Sequence, residues 1–272
     1  MSRASQERAQ ANYAAVNGLN LYYEIHGTGG QPLLMLHGAY MSIDAFGDLL
    51  PGLAATRQVI AVELQGHGRT ADVDRPLRYE QMADDVAALL AELGLASVDI
   101  FGYSMGGGVA LQVAIRHPQL VRKLIAASAA YNTEGIYPEL LTVFDTITPE
   151  FFAGSVMETE YKRLAPNPDD FPTLIAKLTE LDKQILDWPA EDIQSITAPT
   201  MLIIGDSDVV RPEHALEMFR LLGGGVCGDL SGLPNARLAV LPGTTHVAVI
   251  DQSDLLLAII PPFLDAPLPD AA

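Results

Sequence analysis

The chain has 272 residues, 49% of them hydrophobic, and a formal net charge of −18. This much apolar sequence can bury the core of one large α/β domain, or of a domain that carries an insertion. An acidic chain without clusters of lysine and arginine is a poor match for nucleic acid or for an anionic membrane surface, so neither is an expected partner.

Three further observations bear on the cellular compartment. Every apolar run is interrupted well short of the roughly 20 residues that span a bilayer. The segment MSRASQERAQANY contains no apolar stretch that could serve as a signal sequence. Cys227 is the only cysteine, which excludes an internal disulfide, and it lies without a neighbouring histidine in LGGGVCGDLSGLP, where we expect an exposed loop. We therefore predict a cytoplasmic protein whose cysteine is not a nucleophile.

Short β-rich runs alternate with helical patterns along the chain, which predicts a mainly parallel sheet with helices on both faces. The segments YAAVNG and NLYYEIHG predict an N-terminal hairpin that turns at Asn17 and Gly18. Apolar residues then recur at helical spacing from Tyr79 to Leu93, and Gly94 is placed to end that helix. Six compact apolar runs predict buried strands: Leu33–Leu36, Val59–Val62, Val98–Phe101, Leu124–Ala127, Met201–Ile204 and Leu238–Leu241.

The alternation stops between Asn132 and Thr197. This segment contains six prolines, and its apolar residues from Phe171 to Ile185 follow helical spacing with no strand pattern between them. We predict that residues 132–197 form a helical lid, inserted between the two parts of an α/β core at 1–131 and 198–272.

One short motif lies between the predicted strand Val98–Phe101 and the helix that follows it. Gly102-Tyr103-Ser104-Met105-Gly106 matches G-x-S-x-G, the pattern of a sharp turn that exposes a nucleophilic serine above the sheet. The turn leaves no room for a Cβ at the two flanking glycines, and the start of the following helix directs amide groups toward the serine. Ser104 is therefore the predicted nucleophile, and we expect Gly107 and Gly108 to let the helix pack closely on the sheet.

A serine needs a base to remove its proton and an acid to orient that base. His246 follows the last predicted strand in a glycine loop, which places it at the same sheet edge as Ser104, so it is the predicted base. We expect His37 to shape the backbone after its strand and His214 to lie on an exposed helix. The remaining histidines, His26, His67 and His117, have no pattern that indicates catalysis.

Two aspartates compete for the role of the orienting acid. Asp206 directly follows the glycine that ends a predicted strand and is suited to capping the turn. Asp208 lies deeper in the loop that faces His246, so it is the preferred acid. The loop after the preceding strand, SAAYN, contains no carboxylate.

Acyl transfer passes through an oxyanion, which amide donors fixed in advance stabilise. The Met105 amide follows the predicted nucleophile at the start of a helix. The Ala39 amide follows a strand and the dipeptide His37-Gly38, whose backbone can turn that amide toward the serine.

The segments HGAY, LQGHGRT, GYSMGG, GDSDVVRP and PGTTH together resemble the successive signature segments of the α/β-hydrolase superfamily, over nearly the whole chain. The resemblance implies an eight-stranded, mostly parallel sheet with a lid after the sixth strand. It also implies Ser104, Asp208 and His246 as the catalytic triad, with Ala39 and Met105 as oxyanion donors. Glu63 departs from the family pattern, which commonly has aspartate at this structural position.

A serine nucleophile makes epoxide hydrolase and haloalkane dehalogenase activity unexpected, since those relatives use a carboxylate. We favour hydrolysis of a carboxylic ester or lactone through an acyl-enzyme. The alternatives are a C–C bond hydrolase, a cofactor-free perhydrolase of the haloperoxidase type, and a receptor that keeps the fold without catalysis. No cofactor or metal ion is expected, the expected partner is a small-molecule ester, and the oligomeric state stays open.

The charge of residues 132–197 narrows the expected substrate. This segment contains thirteen acidic and four basic residues, which gives it a net charge of −9. We expect a neutral or amine-bearing ester to be preferred over an anionic one, with macrolide lactones as one example. The alternative is a solvated lid surface whose charges only aid solubility. The side chains expected to contact substrate are Tyr40, Tyr103, Phe151, Phe152, Met157 and Trp188.

Overall fold

The computed structural model describes residues 9–144, 146–183 and 187–268. Asp145, counted above among the lid acids, Ile185, counted in its helical pattern, and the first eight residues lie outside the described residues. The described residues contain eight strands that form one sheet. The strands are β1 (Gln10–Val16), β2 (Leu19–His26), β3 (Leu33–Leu36), β4 (Val59–Val62), β5 (Val98–Tyr103), β6 (Val121–Ala127), β7 (Thr200–Ser207) and β8 (Ala236–Thr245).

The sheet is mostly parallel, as predicted. Its strand order is β1-β2-β4-β3-β5-β6-β7-β8, with antiparallel pairing between β1 and β2 and between β2 and β4, and parallel pairing elsewhere. The predicted hairpin turn is confirmed, because Asn17 and Gly18 both adopt left-handed backbone angles, with φ of 49° and 84°. The carboxyl ends of the parallel strands share one edge of the sheet, where a site can form.

The described helices are α1 (Leu49–Ala54), α2 (Tyr79–Glu92), α3 (Met105–Arg116), α4 (Pro138–Phe144), α5 (Val156–Leu164), α6 (Phe171–Lys183), α7 (Ala190–Gln194), α8 (Pro212–Leu221), α9 (Gly228–Ser231) and α10 (Ser253–Asp265). Helices cover both faces of the sheet. Helices α2 and α3 pack with the core on one face, and α1 and α10 pack together with the core on the other. Gly94 follows α2 with a φ of 68°, consistent with its predicted place at the helix end.

The segment between β6 and β7 carries α4, α5, α6 and α7. Its described residues form no strand beyond two isolated bridge pairs, so the predicted helical character is confirmed. Helix α6 buries Leu174, Ile175 and Leu178, and Lys177 between them donates at 2.6 Å to Asp72 in the loop after β4. These contacts fix the segment against the hydrophobic core and the loop after β4.

The glycine-rich segment before β8 differs slightly from the predicted loop, because it contains the four-residue helix α9. Cys227, which precedes α9, is exposed as expected. Within the described ranges, no helix is both long and apolar enough to cross a bilayer.

Candidate active site

The turn between β5 and α3 holds Ser104 in a left-handed conformation, with φ of 55° and ψ of −120°. A Cβ on Gly102 would lie 2.2 Å from the carbonyl oxygen of Gly106, and one on Gly106 would lie 2.3 Å from that of Leu36. Both contacts are far below the van der Waals limit, so only glycine fits at either position. The close approach of Gly106 to Leu36 also brings the start of α3 against the end of β3.

The next two glycines differ in what they approach. A Cβ on Gly107 would lie 2.7 Å from the side chain of Ala129, just beyond β6, which agrees with close packing on the sheet. A Cβ on Gly108 would lie 2.5 Å from the ring of Tyr79. The expectation for Gly108 was therefore wrong, because its missing side chain makes room for α2 and not for the sheet.

The side chains of Ser104, His246 and Asp208 form a continuous chain of hydrogen bonds. Ser104 Oγ lies 2.9 Å from His246 Nε2, and His246 Nδ1 lies 2.7 Å from Asp208 Oδ1. A neutral imidazole that donates from Nδ1 to the carboxylate has its Nε2 lone pair directed at the serine hydroxyl. The arrangement can therefore take a proton from Ser104.

Asp208 is held by donors on both of its oxygens. Oδ2 accepts from Ser128 Oγ at 2.6 Å and from the Gly205 amide at 3.1 Å, and Oδ1 also accepts from the Val210 amide at 3.2 Å. Burial opposes ionisation of this carboxyl, but the hydrogen bonds from His246, Ser128 and Gly205 outweigh burial and lower its pKa below the usual value. The carboxylate is therefore charged and fixed beside His246.

Sequence reasoning missed Ser128. It dismissed the loop after β6 because that loop contains no carboxylate, although β6 is the neighbour of β7 in the sheet. A signal was present, since a serine directly after a buried strand lies at the same sheet edge as the other site residues.

Asp206 lies within β7, which continues to Ser207, so Gly205 does not end the strand as predicted, and Asp206 binds the end of β8 instead of capping a turn. Its carboxylate accepts from the Gly243 amide at 2.8 Å and the Thr244 amide at 3.2 Å. These amides immediately precede the His246 loop, so Asp206 supports that loop without contacting the imidazole.

Two other histidines have structural surroundings. The His37 ring accepts from the Leu64 amide at 3.1 Å and contacts the Gly38 carbonyl at 2.7 Å, so it shapes the loop after β3 and ties it to the loop after β4. The prediction that His214 is exposed was wrong: its side chain is 3% exposed and accepts from the Tyr131 amide at 3.2 Å. Its ring also stacks on Tyr131, with 4.6 Å between centroids.

The amides of Ala39 and Met105 are available for an incoming group. Met105 is the first residue of α3, where amides have no intrahelical acceptor. In the part of the chain that the structure describes, neither amide donates to a backbone carbonyl. Since α3 starts against the end of β3, the two donors come from segments that meet beside Ser104.

Glu63 is fully buried and pairs with Arg69, whose guanidinium lies 2.6 Å from its carboxylate. The same carboxylate accepts from the Arg69 amide at 2.5 Å. These contacts hold the loop after β4, as expected of a structural position.

Ser104, Met105 and His246 line a pocket of about 120 Å³. Its other walls come largely from the segment between β6 and β7 and from the loop after β7, and they include Ile136, Leu141, Phe144, Leu181, Asp182 and Val209. A more open pocket of about 480 Å³ shares Val209 and His246 with the first and is walled by Tyr137, Leu140 and Val143. The imidazole therefore lies between a small inner pocket and a larger apolar one.

None of the six side chains predicted to contact substrate lines the inner pocket. Tyr40 and Met157 line a separate pocket of about 360 Å³, and Phe152 packs on Tyr40 with 4.7 Å between ring centroids. Phe151 is 64% exposed. The predicted lid residues Phe151, Phe152 and Met157 are apolar side chains of the segment, but the way the segment docks directs Leu141, Phe144 and Leu181 to the pocket instead.

The other two predicted contacts support the site from outside the pocket. Tyr103 is 1% exposed, and its hydroxyl donates to the backbone carbonyl of His246 at 2.7 Å. Trp188 packs edge-on against Tyr79, with 5.5 Å between ring centroids. Tyr79 itself lines the inner pocket, so Trp188 lies behind the wall.

The comparison with known proteins agrees with this fold. The model of the alpha/beta hydrolase fold family matches residues 31–182, more than half of the chain. The chain belongs to the α/β-hydrolase family, and its predicted fold is confirmed.

Two curated relatives show how far the similarity extends. The chain is 27% identical over 255 residues to the dihydrolipoyllysine-residue acetyltransferase component of the acetoin cleaving system of Pseudomonas putida, which covers 86% of this chain but 63% of that protein. It therefore spans less than two thirds of that relative. It is 28% identical over 254 residues to the pimeloyl-(acyl-carrier protein) methyl ester esterase of Neisseria meningitidis, covering 86% of this chain and 77% of the relative.

Among solved structures, the enol-lactonase from Burkholderia xenovorans LB400 matches with a TM-score of 0.72 at 20% identity. The match covers 93% of this chain and 100% of the enol-lactonase. This similarity establishes the shared fold. The family is thus one of hydrolases and includes relatives named as esterases.

Proposed function

We propose that this protein is a serine hydrolase that cleaves a carboxylic ester or lactone through an acyl-enzyme intermediate. The observation that carries the proposal is the chain of hydrogen bonds from Ser104 through His246 to Asp208, at 2.9 and 2.7 Å. The free amides of Ala39 and Met105 beside it supply the hydrogen-bond donors that stabilise the oxyanion.

In the acylation step, Ser104 Oγ attacks the carbonyl carbon while its proton passes to His246 Nε2. The carbonyl oxygen becomes an oxyanion and accepts hydrogen bonds from the Ala39 and Met105 amides. The charged imidazolium is stabilised by Asp208. His246 then gives its proton to the leaving alcohol oxygen as the C–O bond breaks, which leaves the acyl group on Ser104.

In the deacylation step, a water molecule takes the place of the alcohol. His246 removes one proton from the water as the oxygen attacks the acyl carbon, and it returns that proton to Ser104 Oγ as the acyl bond breaks. The products are a carboxylic acid and an alcohol, joined in one molecule when the substrate is a lactone. The enzyme is restored without a cofactor or metal ion.

The two pockets beside His246 suggest how the ester lies. His246 must reach the leaving oxygen, so the alcohol part extends toward the open pocket of about 480 Å³ lined by Tyr137, Leu140 and Val143. The acyl part then occupies the inner pocket of about 120 Å³. Residues 132–197 act as a lid over both, and their acidity favours a neutral or amine-bearing ester.

The test uses purified protein and a panel of short and long nitrophenyl esters, lactones and a ring-cleavage diketo acid. We expect turnover of short-acyl esters or lactones, and Ser104→Ala should lower kcat by about 10⁴ or more while the fold persists. Ser231→Ala, in α9 and away from the site, is the matched control and should keep full activity. Preferred turnover of the diketo acid would favour the C–C hydrolase, and no turnover at all would favour the receptor.

A further inference from the structure

Asp182 lies on the last turn of α6 and lines the same inner pocket as Ser104, Met105 and His246. No lysine or arginine is among the residues that line this pocket. The neighbouring Lys183 ion-pairs instead with Glu180, at 3.4 Å on the same helix. A carboxylate thus lines an otherwise largely apolar pocket that also contains the proposed nucleophile.

Asp182 differs from the buried acids of the core, which all have a basic partner. Glu63 pairs with Arg69 at 2.6 Å, Asp99 pairs with Arg122 at 2.5 Å, and Asp208 bonds to His246 at 2.7 Å. Asp85 pairs with Arg75. The side chain of Asp182 makes no hydrogen bond or ion pair with any residue of the described ranges, and burial raises its pKa to about 7.

The surroundings of Asp182 are aromatic as well as apolar. Its negative charge contributes, after burial, to raising the pKa of the Tyr79 hydroxyl, and Tyr79 lines the same pocket. The pKa of Tyr40 is raised in the same way, by burial first and by Asp182 second. An unpaired carboxylate near aromatic rings is an environment that stabilises an organic cation.

We propose that Asp182 recognises a protonated amine on the substrate, which enters the inner pocket and forms the ion pair that the folded protein lacks there. This inference rests on the proposed ester hydrolysis and names its substrate class more closely. The chemistry follows from the cost of holding a half-buried carboxylate in the pocket without a basic partner, which an ammonium group of the ligand offsets. An anionic acyl group would instead meet Asp182 and be repelled.

The experiment compares three nitrophenyl esters of matched size, whose acyl groups end in a dimethylamino group, a branched alkyl group and a carboxylate. We measure kcat/KM for each at pH 8 and high salt, where exposed charges are screened. In the wild-type protein the amine ester should be the best substrate and the carboxylate ester the worst. Asp182→Asn should lower the ratio of amine to alkyl kcat/KM by about tenfold or more and raise the relative rate of the carboxylate ester.

Glu180→Gln is the matched control, because Glu180 is an exposed acid on the same helix. This variant should leave the relative kcat/KM values of the three esters unchanged. Asp182→Asn should keep or raise Tm, since it removes a half-buried carboxylate that has no basic partner. Equal ratios in wild-type protein and Asp182→Asn, with both folded, would overturn the inference, as would a larger effect from Glu180→Gln.

A binding measurement separates this inference from the proposed function. Calorimetry follows binding of the amine ester to Ser104→Ala protein, with and without Asp182→Asn. Tighter binding that depends on Asp182 supports the inference even if the wild-type protein hydrolyses no ester, an outcome that would reject the proposed function alone. Equal binding to both variants would overturn the inference even if esters are hydrolysed.

Discussion

The hydroxyl of Ser128 donates a 2.6 Å hydrogen bond to Oδ2 of Asp208, across the gap between the ends of β6 and β7. Ser128 has a left-handed φ of 53°, and its own amide donates to the Ile203 carbonyl at 2.7 Å. Its position is therefore set by the neighbouring strand. The result is that the acid proposed to orient His246 has its second oxygen fixed by a side chain from a different loop.

Ser128→Ala should lower kcat on any ester substrate by about tenfold, because Asp208 loses a hydrogen bond that favours its charged form. The free energy of unfolding should fall by about 1–3 kcal/mol for the same reason. Steady-state kinetics and urea unfolding measure the two effects. Ser195→Ala, at an exposed position, is the control, and an unchanged kcat in folded Ser128→Ala would show that Ser128 does not position the acid.

Asp208→Asn and Asp206→Asn separate the two neighbouring acids. Asp208→Asn should lower kcat by on the order of 10³ to 10⁴, since an amide cannot hold the imidazole in the working tautomer. Asp206→Asn should cost far less in kcat and act mainly on stability, by about 1 kcal/mol, because it weakens the bonds to the Gly243 and Thr244 amides. The reverse ranking in two folded proteins would move the role of the acid to Asp206.

His214 makes stability depend on pH. Burial lowers the pKa of His214 to about 4, whereas a histidine in the unfolded chain has a pKa of about 6.5. Between these values the unfolded chain binds a proton that the folded protein does not, so stability falls as the pH decreases from about 6.5 toward 4. His214→Gln should reduce this slope by up to about 1.4 kcal/mol per pH unit.

Urea unfolding of wild-type protein and His214→Gln from pH 4.5 to 8 checks the pH prediction. The variant should be less stable at pH 8, because the Tyr131 amide loses its acceptor, but the gap should narrow toward low pH. A gap that stays constant over the whole range would contradict the assignment of the slope to His214.

The acidity of residues 132–197 should affect how charged esters approach. With a net charge of −9 on this segment, an ester with a tertiary amine should have a higher kcat/KM than its carboxylate counterpart at low salt. The part of this preference that comes from exposed charges should shrink as salt rises, because the Debye length is about 8 Å at physiological ionic strength. Assays of kcat/KM from low to high salt measure this preference, with a neutral ester as control. Equal rates for the two charged esters at low salt would mean that the acidic surface serves solubility alone.

Much of the sheet and the turn at Ser104 follows from local sequence. The predicted runs Leu33–Leu36 and Val59–Val62 coincide with β3 and β4, because a central parallel strand is buried on both faces and its apolar run marks its limits. The requirement for glycine at 102 arises from a clash with Gly106, four residues along the chain. Where neighbours in sequence are also neighbours in space, the residues themselves define the structure.

Tertiary structure decided which side chains meet. Helical spacing marked an apolar face from Phe171 to Ile185, but docking on the core selects Leu141, Phe144 and Leu181 for the pocket and leaves Phe151 exposed. That docking depends on contacts between residues that are far apart in the sequence. Lys177, for example, binds Asp72, which lies 105 residues away. The bond from Ser128 to Asp208 likewise joins residues 80 apart. A periodic pattern identifies the face that must be buried, but the partner surface depends on strand order and helix packing, which no local pattern contains.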